Sequence, residues 1–118
     1  MILEVKSLYS PDVFDLKLFR DIGEPFSILL EVVIGEKNKD GGDIFSFTIV
    51  NISFLEEMIN EDEVIFGKNM IIVKRFDYIQ IVNRISKLIN HLSSNDWEEF
   101  VVEFSRYADW EFEGYQDV

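Results

Sequence analysis

Carboxylates are the most abundant side chains in this sequence that could do chemistry, and several of them are neighbours. The pairs Glu56/Glu57 and Glu98/Glu99 and the acidic run 61–63 are of the type that supplies general acid–base pairs or ligands for hard metal ions. Adjacent residues on a helix point in different directions, so such pairs are poorly placed to share one site. The polar stretch 38–43 lacks the spaced acids and the bidentate glutamate of a calcium-binding loop. We therefore expect no metal site and interpret these acids as solvated surface.

The other residue types that carry chemistry give no sign of catalysis. The chain has no cysteine, which excludes thiolate nucleophiles, disulfides and thiolate zinc sites. Its one histidine, His91, falls near the end of a predicted helix, where a cationic side chain suits the helix dipole. No serine stands in a nucleophile-elbow sequence, and the glycines form no dinucleotide or phosphate-binding loop. The sequence thus predicts a protein that is not an enzyme and uses no cofactor.

Net charge excludes several classes of partner. The 118 residues include 23 acidic and 11 basic side chains, a formal net charge of −12. This excess argues against direct binding of nucleic acid or of an anionic membrane surface. An apolar fraction of 47% is sufficient for a packed core, and the length favours one domain, 1–118. No apolar run approaches the ~20 residues of a membrane span and no signal-peptide core occurs, so a cytoplasmic location is expected.

Alternating apolar residues predict the strands that must position these side chains. Strands are expected at 2–9, 26–34 and 44–50, with the last two joined as a hairpin through a glycine-rich loop. A second, shorter hairpin is expected from 64–66 and 70–73, which flank the turn sequence Gly-Lys-Asn.

Helical spacing of apolar residues predicts three helices. Ser53 and Glu56 have capping-box spacing and predict a short helix that ends near residue 60. The clearest helix is 77–92, and a third runs from Trp97 to about Tyr107 behind a cap at residues 93–96, with its aromatic residues 97, 100 and 104 turned inward. Strands and helices come in runs rather than in alternation. This order predicts an α+β fold, a mostly antiparallel sheet with helices packed on one face.

Acidity is concentrated towards the C-terminal end of the sequence. Residues 96–118 contain eight carboxylates and one arginine, a net charge of −7, interleaved with aromatic residues. Alternating acids and aromatics in 109–118 also predict an added edge strand. Long-range charge steers a cationic partner towards such a surface, and aromatic side chains anchor it. The predicted partner-binding residues are Glu98, Glu99, Glu103, Asp109, Trp110, Glu111, Glu113 and Tyr115.

Short segments spread over nearly the whole chain form a familiar pattern. They are 10–12, 44–49, 54–55, 65–68, 70–74, 77–78, 96–98 and 105–112. The most specific are the Ile-Phe-Gly stretch at 65–67 and the Tyr-x-x-Trp-Glu-Phe ending at 107–112. In these segments the chain resembles the immunity protein 8 family of bacterial polymorphic toxin systems, and residues 14–25 match least well.

This resemblance implies a small cytoplasmic antidote that protects the cell by binding a cognate toxin domain. Without catalytic residues it would act by stoichiometric occlusion. The charge of −12 favours a basic toxin such as a nuclease, whose positive surface binds phosphate. The alternative function is an acidic nucleic-acid mimic that inhibits a DNA- or RNA-binding protein. A mimic needs carboxylates that follow phosphate positions along an elongated face, whereas here they are concentrated in 96–118.

Overall fold

A computed structural model describes residues 1–93 and 96–114 and contains a five-stranded sheet with helices packed on one face. The strands are β1 (Leu3–Tyr9), β2 (Ser27–Glu36), β3 (Asp43–Asn51), β4 (Met70–Val73) and β5 (Asp109–Trp110). The helices are α1 (Ile52–Met58), α2 (Tyr78–Leu92) and α3 (Trp97–Phe104), with one turn of 3-10 helix at Leu16–Leu18. The α+β class predicted from the sequence is confirmed.

The sheet is mostly antiparallel, as predicted, but one of its pairs is parallel. Its order is β1-β2-β3-β4, with β3 antiparallel to β2 and parallel to β4. The outer edge of β3 is shared between two short strands. There β5 pairs with Phe45 and Ser46, while β4 pairs with the residues from Thr48 to Asn51. Phe47 lies between these two pairings and leaves a gap in the edge.

The second hairpin predicted from the sequence is wrong. Residues 64–66 form no strand, and β4 runs parallel to β3 instead of antiparallel to the segment before it. The turn residues do form a turn, because Met70 N donates to Gly67 O at 3.3 Å and Asn69 has a positive φ of 64°. The segment 64–66 before the turn does not pair with β4. The outer edge of β3 takes its place, and this pairing brings Ile71 against the core.

The hydrophobic core lies between one face of the sheet and the helices α2 and α3. The buried residues of these helices are Ile81, Ile85 and Ile89 in α2 and Phe100, Val101 and Phe104 in α3. Phe45 of β3 packs edge-to-face on Phe100 and Phe104, with ring centroids 6.1 and 5.0 Å apart. The inward orientation predicted for the α3 aromatics is therefore confirmed. Alternate strand residues such as Glu31 and Ser46 lie on the opposite face and are only partly buried.

The start of α1 differs from its prediction, because Asn51 caps the helix and Ser53 does not. The Asn51 side-chain oxygen accepts from the amides of Phe54 and Phe26 at 3.0 and 3.1 Å, and Nδ2 donates to Glu24 O at 2.9 Å. Among the described residues it is the one buried polar side chain, 3% exposed. One amide therefore ties the start of α1 to the chain entering β2.

We expect Asn51→Ala to lower the free energy of unfolding by about 2–3 kcal/mol. The substitution removes a helix cap and leaves the Phe26 amide without its acceptor. Ser53→Ala is the matched control, because Ser53 is exposed and should change stability by less than about 0.5 kcal/mol. Urea denaturation of the two variants measures both values, and equal losses would contradict the assignment of the cap.

The C-terminal strand and α3 are shorter than predicted. Of the strand expected in 109–118, Asp109–Trp110 forms β5, residues 111–114 form turns, and 115–118 lie outside the described residues. Helix α3 ends at Phe104 rather than near Tyr107. Its N-cap is Asp96, whose side chain accepts from Glu98 N at 2.9 Å. The rest of the predicted cap, residues 94–95, also lies outside the described part.

Candidate functional site

The residues predicted to bind a partner lie on two sides of the sheet, with β5 between them. Trp110 pairs with Phe45, whose ring packs on α3, so Trp110 lies on the helix side. Asp109 pairs with Ser46 and lies on the opposite face, because successive strand residues point to opposite sides. Tyr115 lies outside the described residues.

On the helix side, the acids of α3 differ in whether they are paired. Glu98 and Glu99 are exposed in the first turn, where negative charge suits the helix dipole. Neither forms an ion pair with any residue that the structure describes. Glu103 is partly buried, and its Oε2 lies 3.2 Å from Arg106 Nη1. The unpaired negative charge of this helix therefore belongs to Glu98 and Glu99.

Beyond β5, Lys68 neutralises two of the predicted acids. Its Nζ lies 2.7 Å from Glu113 Oε1 and 3.3 Å from Asp109 Oδ1. Asn69 Nδ2 also donates to Asp109 Oδ2 at 2.6 Å. The hydrogen bond to Glu113 is the main cause that raises the pKa of Lys68 above its ordinary value. Asp109 and Glu113 consequently offer less net attraction to a cationic partner than their number suggests.

Trp110 holds β5 in place. Its Nε1 donates to Asp43 Oδ2 at 3.0 Å, and its ring packs against the hydrophobic core. Phe112 contacts this ring edge-to-face, with centroids 5.3 Å apart, and is itself 43% exposed. Of the two side chains, Phe112 therefore presents the more open aromatic surface. Phe112 is not among the residues predicted from the sequence, although the alternation of acids and aromatics in the tail includes it.

On the face opposite α2 and α3, Glu111 approaches a hydrogen-bonded pair from β1 and β2. Tyr9 donates its hydroxyl to Glu31 Oε2 at 2.7 Å. This bond is the main cause that raises the pKa of Tyr9, and the charge of Glu111 adds to it. Glu111 is exposed and forms no ion pair with the described residues. Sequence analysis missed Glu31, because only the sheet register brings β2 near the C-terminal acids.

We group five of these residues, from the two sides of the sheet, as one candidate contact region around strand β5, which we term the β5 edge: Glu98, Glu99, Asp109, Glu111 and Phe112. It can attract positive charge through Glu98, Glu99 and Glu111 and can pack an apolar group on Phe112. Within residues 1–93 and 96–114, no cluster of three or more acids or histidines is placed to hold a metal ion. None of the helices described there is long and apolar enough to cross a membrane.

Comparison with known families decides the class of this protein. The family model of immunity protein 8 matches residues 3–115 of the 118-residue chain. The chain belongs to the immunity protein 8 family. The resemblance inferred from short segments is thereby confirmed. The match also spans residues 14–25, where the resemblance read from the sequence was weakest. Searches of the curated proteins and of the solved structures give no match.

Membership of the immunity protein 8 family is the reason to interpret the β5 edge as a surface that binds a protein partner. An immunity protein 8 is an immunity protein of toxin systems, a class that works by binding and is generally not enzymatic. The described residues of this family member offer a charged and partly apolar surface of the kind that binds proteins. The β5 edge is therefore its candidate partner-binding site.

Proposed function

We propose that this protein is the antidote of one cognate bacterial toxin, which it binds in the cytoplasm and blocks by stoichiometric occlusion. The family match over residues 3–115 carries the proposal. The β5 edge supports it with three exposed acids that no described cation neutralises, Glu98, Glu99 and Glu111. An exposed acidic surface beside the open ring of Phe112 supports a mode of action by protein contact.

The chemistry of the surface favours a basic toxin, such as a nuclease. A protein of net charge −12 attracts a positively charged partner over a distance of about one Debye length, ~8 Å at physiological salt. Nucleases bind phosphate with the surface that an acidic antidote would cover. The predicted acids of the tail, together with Trp110 and Tyr115, belong to this proposed interface. Within it, Glu98, Glu99 and Glu111 supply the attraction, while Trp110 supports the fold.

The decisive experiment titrates the toxin domain encoded immediately beside this protein's gene. Activity of that domain should fall linearly with added antidote and end at a fixed molar ratio, as occlusion requires. Protection of many toxin molecules by one antidote molecule would contradict occlusion. Absence of any complex would contradict the function itself. An unrelated basic nuclease serves as control, because a general nucleic-acid mimic would inhibit it and a cognate antidote would not.

A further inference from the structure

A cleft of about 330 Å³ opens beside β4, at the gap that Phe47 leaves in the outer edge of β3. It is lined by Phe47 of β3, by Ile85 and Leu88 of α2, and by Tyr107. Ligand pockets of proteins range from ~300 to ~1,000 Å³, so this one is at the small end. Its size and apolar lining suit a single large side chain.

The rim of this cleft is basic although the protein is acidic. Lys68, Arg84 and Arg106 line it, and no Asp or Glu is among the described residues that do. Lys68 and Arg106 already contact carboxylates, but Arg84 forms no ion pair with any described residue. A guanidinium beside an apolar cleft is suited to bind a carboxylate that a partner brings with it.

Strand β4 presents an open outer edge next to the cleft. Thr48 N donates to Asn69 O at 2.8 Å, and backbone groups alternate along a strand, so those of Met70 and Ile72 point away from β3. The Met70 amide turns back to Gly67 O at 3.3 Å, whereas Ile72 has no backbone partner on that side among the described residues. The Ile72 side chain is 56% exposed. Such an edge is a template for another strand.

We propose that the cleft and the edge of β4 together bind an extended segment of the toxin. In strand addition, main-chain hydrogen bonds give affinity, and pockets for alternate side chains give specificity. An apolar side chain of the segment enters the cleft, and a carboxylate two residues along pairs with Arg84. The side chains between these two residues point to the opposite face of the sheet and pack on Ile72. This inference rests on the proposed function, because the occupant is the toxin.

Charge distinguishes the toxin from a second copy of this chain as the occupant. Two-fold pairing of β4 with itself would bring only the apolar side chains of Met70–Val73 to the cleft, and none of them supplies the carboxylate that Arg84 needs. It would also join two molecules of net charge −12, which repel each other. A basic toxin is attracted by the net negative charge of this protein. One acidic segment in that toxin would supply the carboxylate for Arg84.

The test measures binding of the adjacent-encoded toxin domain to Arg84→Glu and Ile72→Pro. We expect Arg84→Glu to weaken binding by at least about tenfold, because the partner carboxylate then faces a like charge. Lys87→Glu is its matched control, with the same charge change on α2 but outside the cleft, and should alter affinity by less than about twofold. Ile72→Pro removes the outward amide and leaves the pairing with β3, so a loss of about tenfold is expected, with Ile72→Val near wild type.

Each outcome decides the proposal. A wild-type protein that binds the toxin, with both variants unchanged, would overturn the cleft proposal and leave the proposed function standing. Failure of the wild type to bind would overturn both. An equal loss in Lys87→Glu would assign the effect to net charge, and a dimer that Ile72→Pro disrupts would assign the edge to a second copy. Recovery of Arg84→Glu by an acid-to-lysine change in the toxin supports the proposal, and thermal melts confirm that each variant is folded.

Discussion

Ile85→Asp is expected to abolish cooperative folding. Ile85 lies in the middle of α2 and is only 4% exposed, so the substitution removes apolar contacts and buries an unpaired carboxylate. Loss of the contacts alone costs ~2–5 kcal/mol, and the buried charge adds to this cost. The total is comparable with the ~5–15 kcal/mol by which a whole domain is stable. Thermal melts followed by circular dichroism measure the effect.

Ile79→Asp provides the matched control for this prediction. It makes the same change on the same helix, but Ile79 is 69% exposed and lies in the first turn, where an acid suits the helix dipole. We expect the melting temperature of this variant to stay near that of the wild type. Equal midpoints for Ile85→Asp and the wild type would show that the apolar stripe of α2 is not part of the core.

Changing Glu98, Glu99 and Glu111 together to Gln is expected to slow association with the toxin domain by about tenfold at low salt. These acids have no described cationic partner, so their charge acts on an approaching protein. The difference from wild type should nearly vanish at about 1 M salt, where the Debye length is ~3 Å. Stability should fall by no more than about 1 kcal/mol, through the lost helix-dipole interaction at Glu98 and Glu99.

Two further variants test the location of this attraction. Changing Glu56, Glu57 and Glu61 to Gln alters the net charge equally on exposed residues far from β5 in the sequence, and should slow association much less. Lys68→Gln should accelerate association with a basic toxin, because it releases the charges of its two carboxylate partners. Stopped-flow measurements give the rates, and identical rates for both triple variants would place the interface away from the β5 edge.

Long periodic segments of this protein could be predicted from the sequence, and short ones could not. Helix α2 repeats its apolar stripe over four turns, and apolar residues alternate with others in both strands of the β2–β3 hairpin. The buried positions of these elements can therefore be recognised from neighbouring residues in the sequence. Strand β4 has four residues and no period of its own. Its partner is decided by which edge of the sheet is free, a long-range property that a turn sequence at Gly67 and Asn69 does not reveal.

The candidate site shows the same division between local and long-range information. The acidity of the tail could be read directly from composition. Its neutralisation could not, because Lys68 is far along the chain from its partners and meets them only when β4 and β5 share the edge of β3. Trp110 was likewise predicted as a partner-binding anchor, because nothing near it in the sequence indicates the hydrogen bond to Asp43. The cleft beside β4 depends on the same pairing, and no local sequence pattern predicts it.

The pairing of β5 affects how soon after synthesis the protein can bind its proposed partner. Trp110 and Asp43 are 67 residues apart, so their contact closes a long loop and carries a large entropic cost before any gain. Contacts of this kind slow folding, whereas the β2–β3 hairpin can form early from adjacent residues. In a newly made molecule β5 is therefore expected to pair with β3 later than β2 does. During that delay a toxin already present in the cell would meet a molecule whose proposed contact surface is not yet assembled.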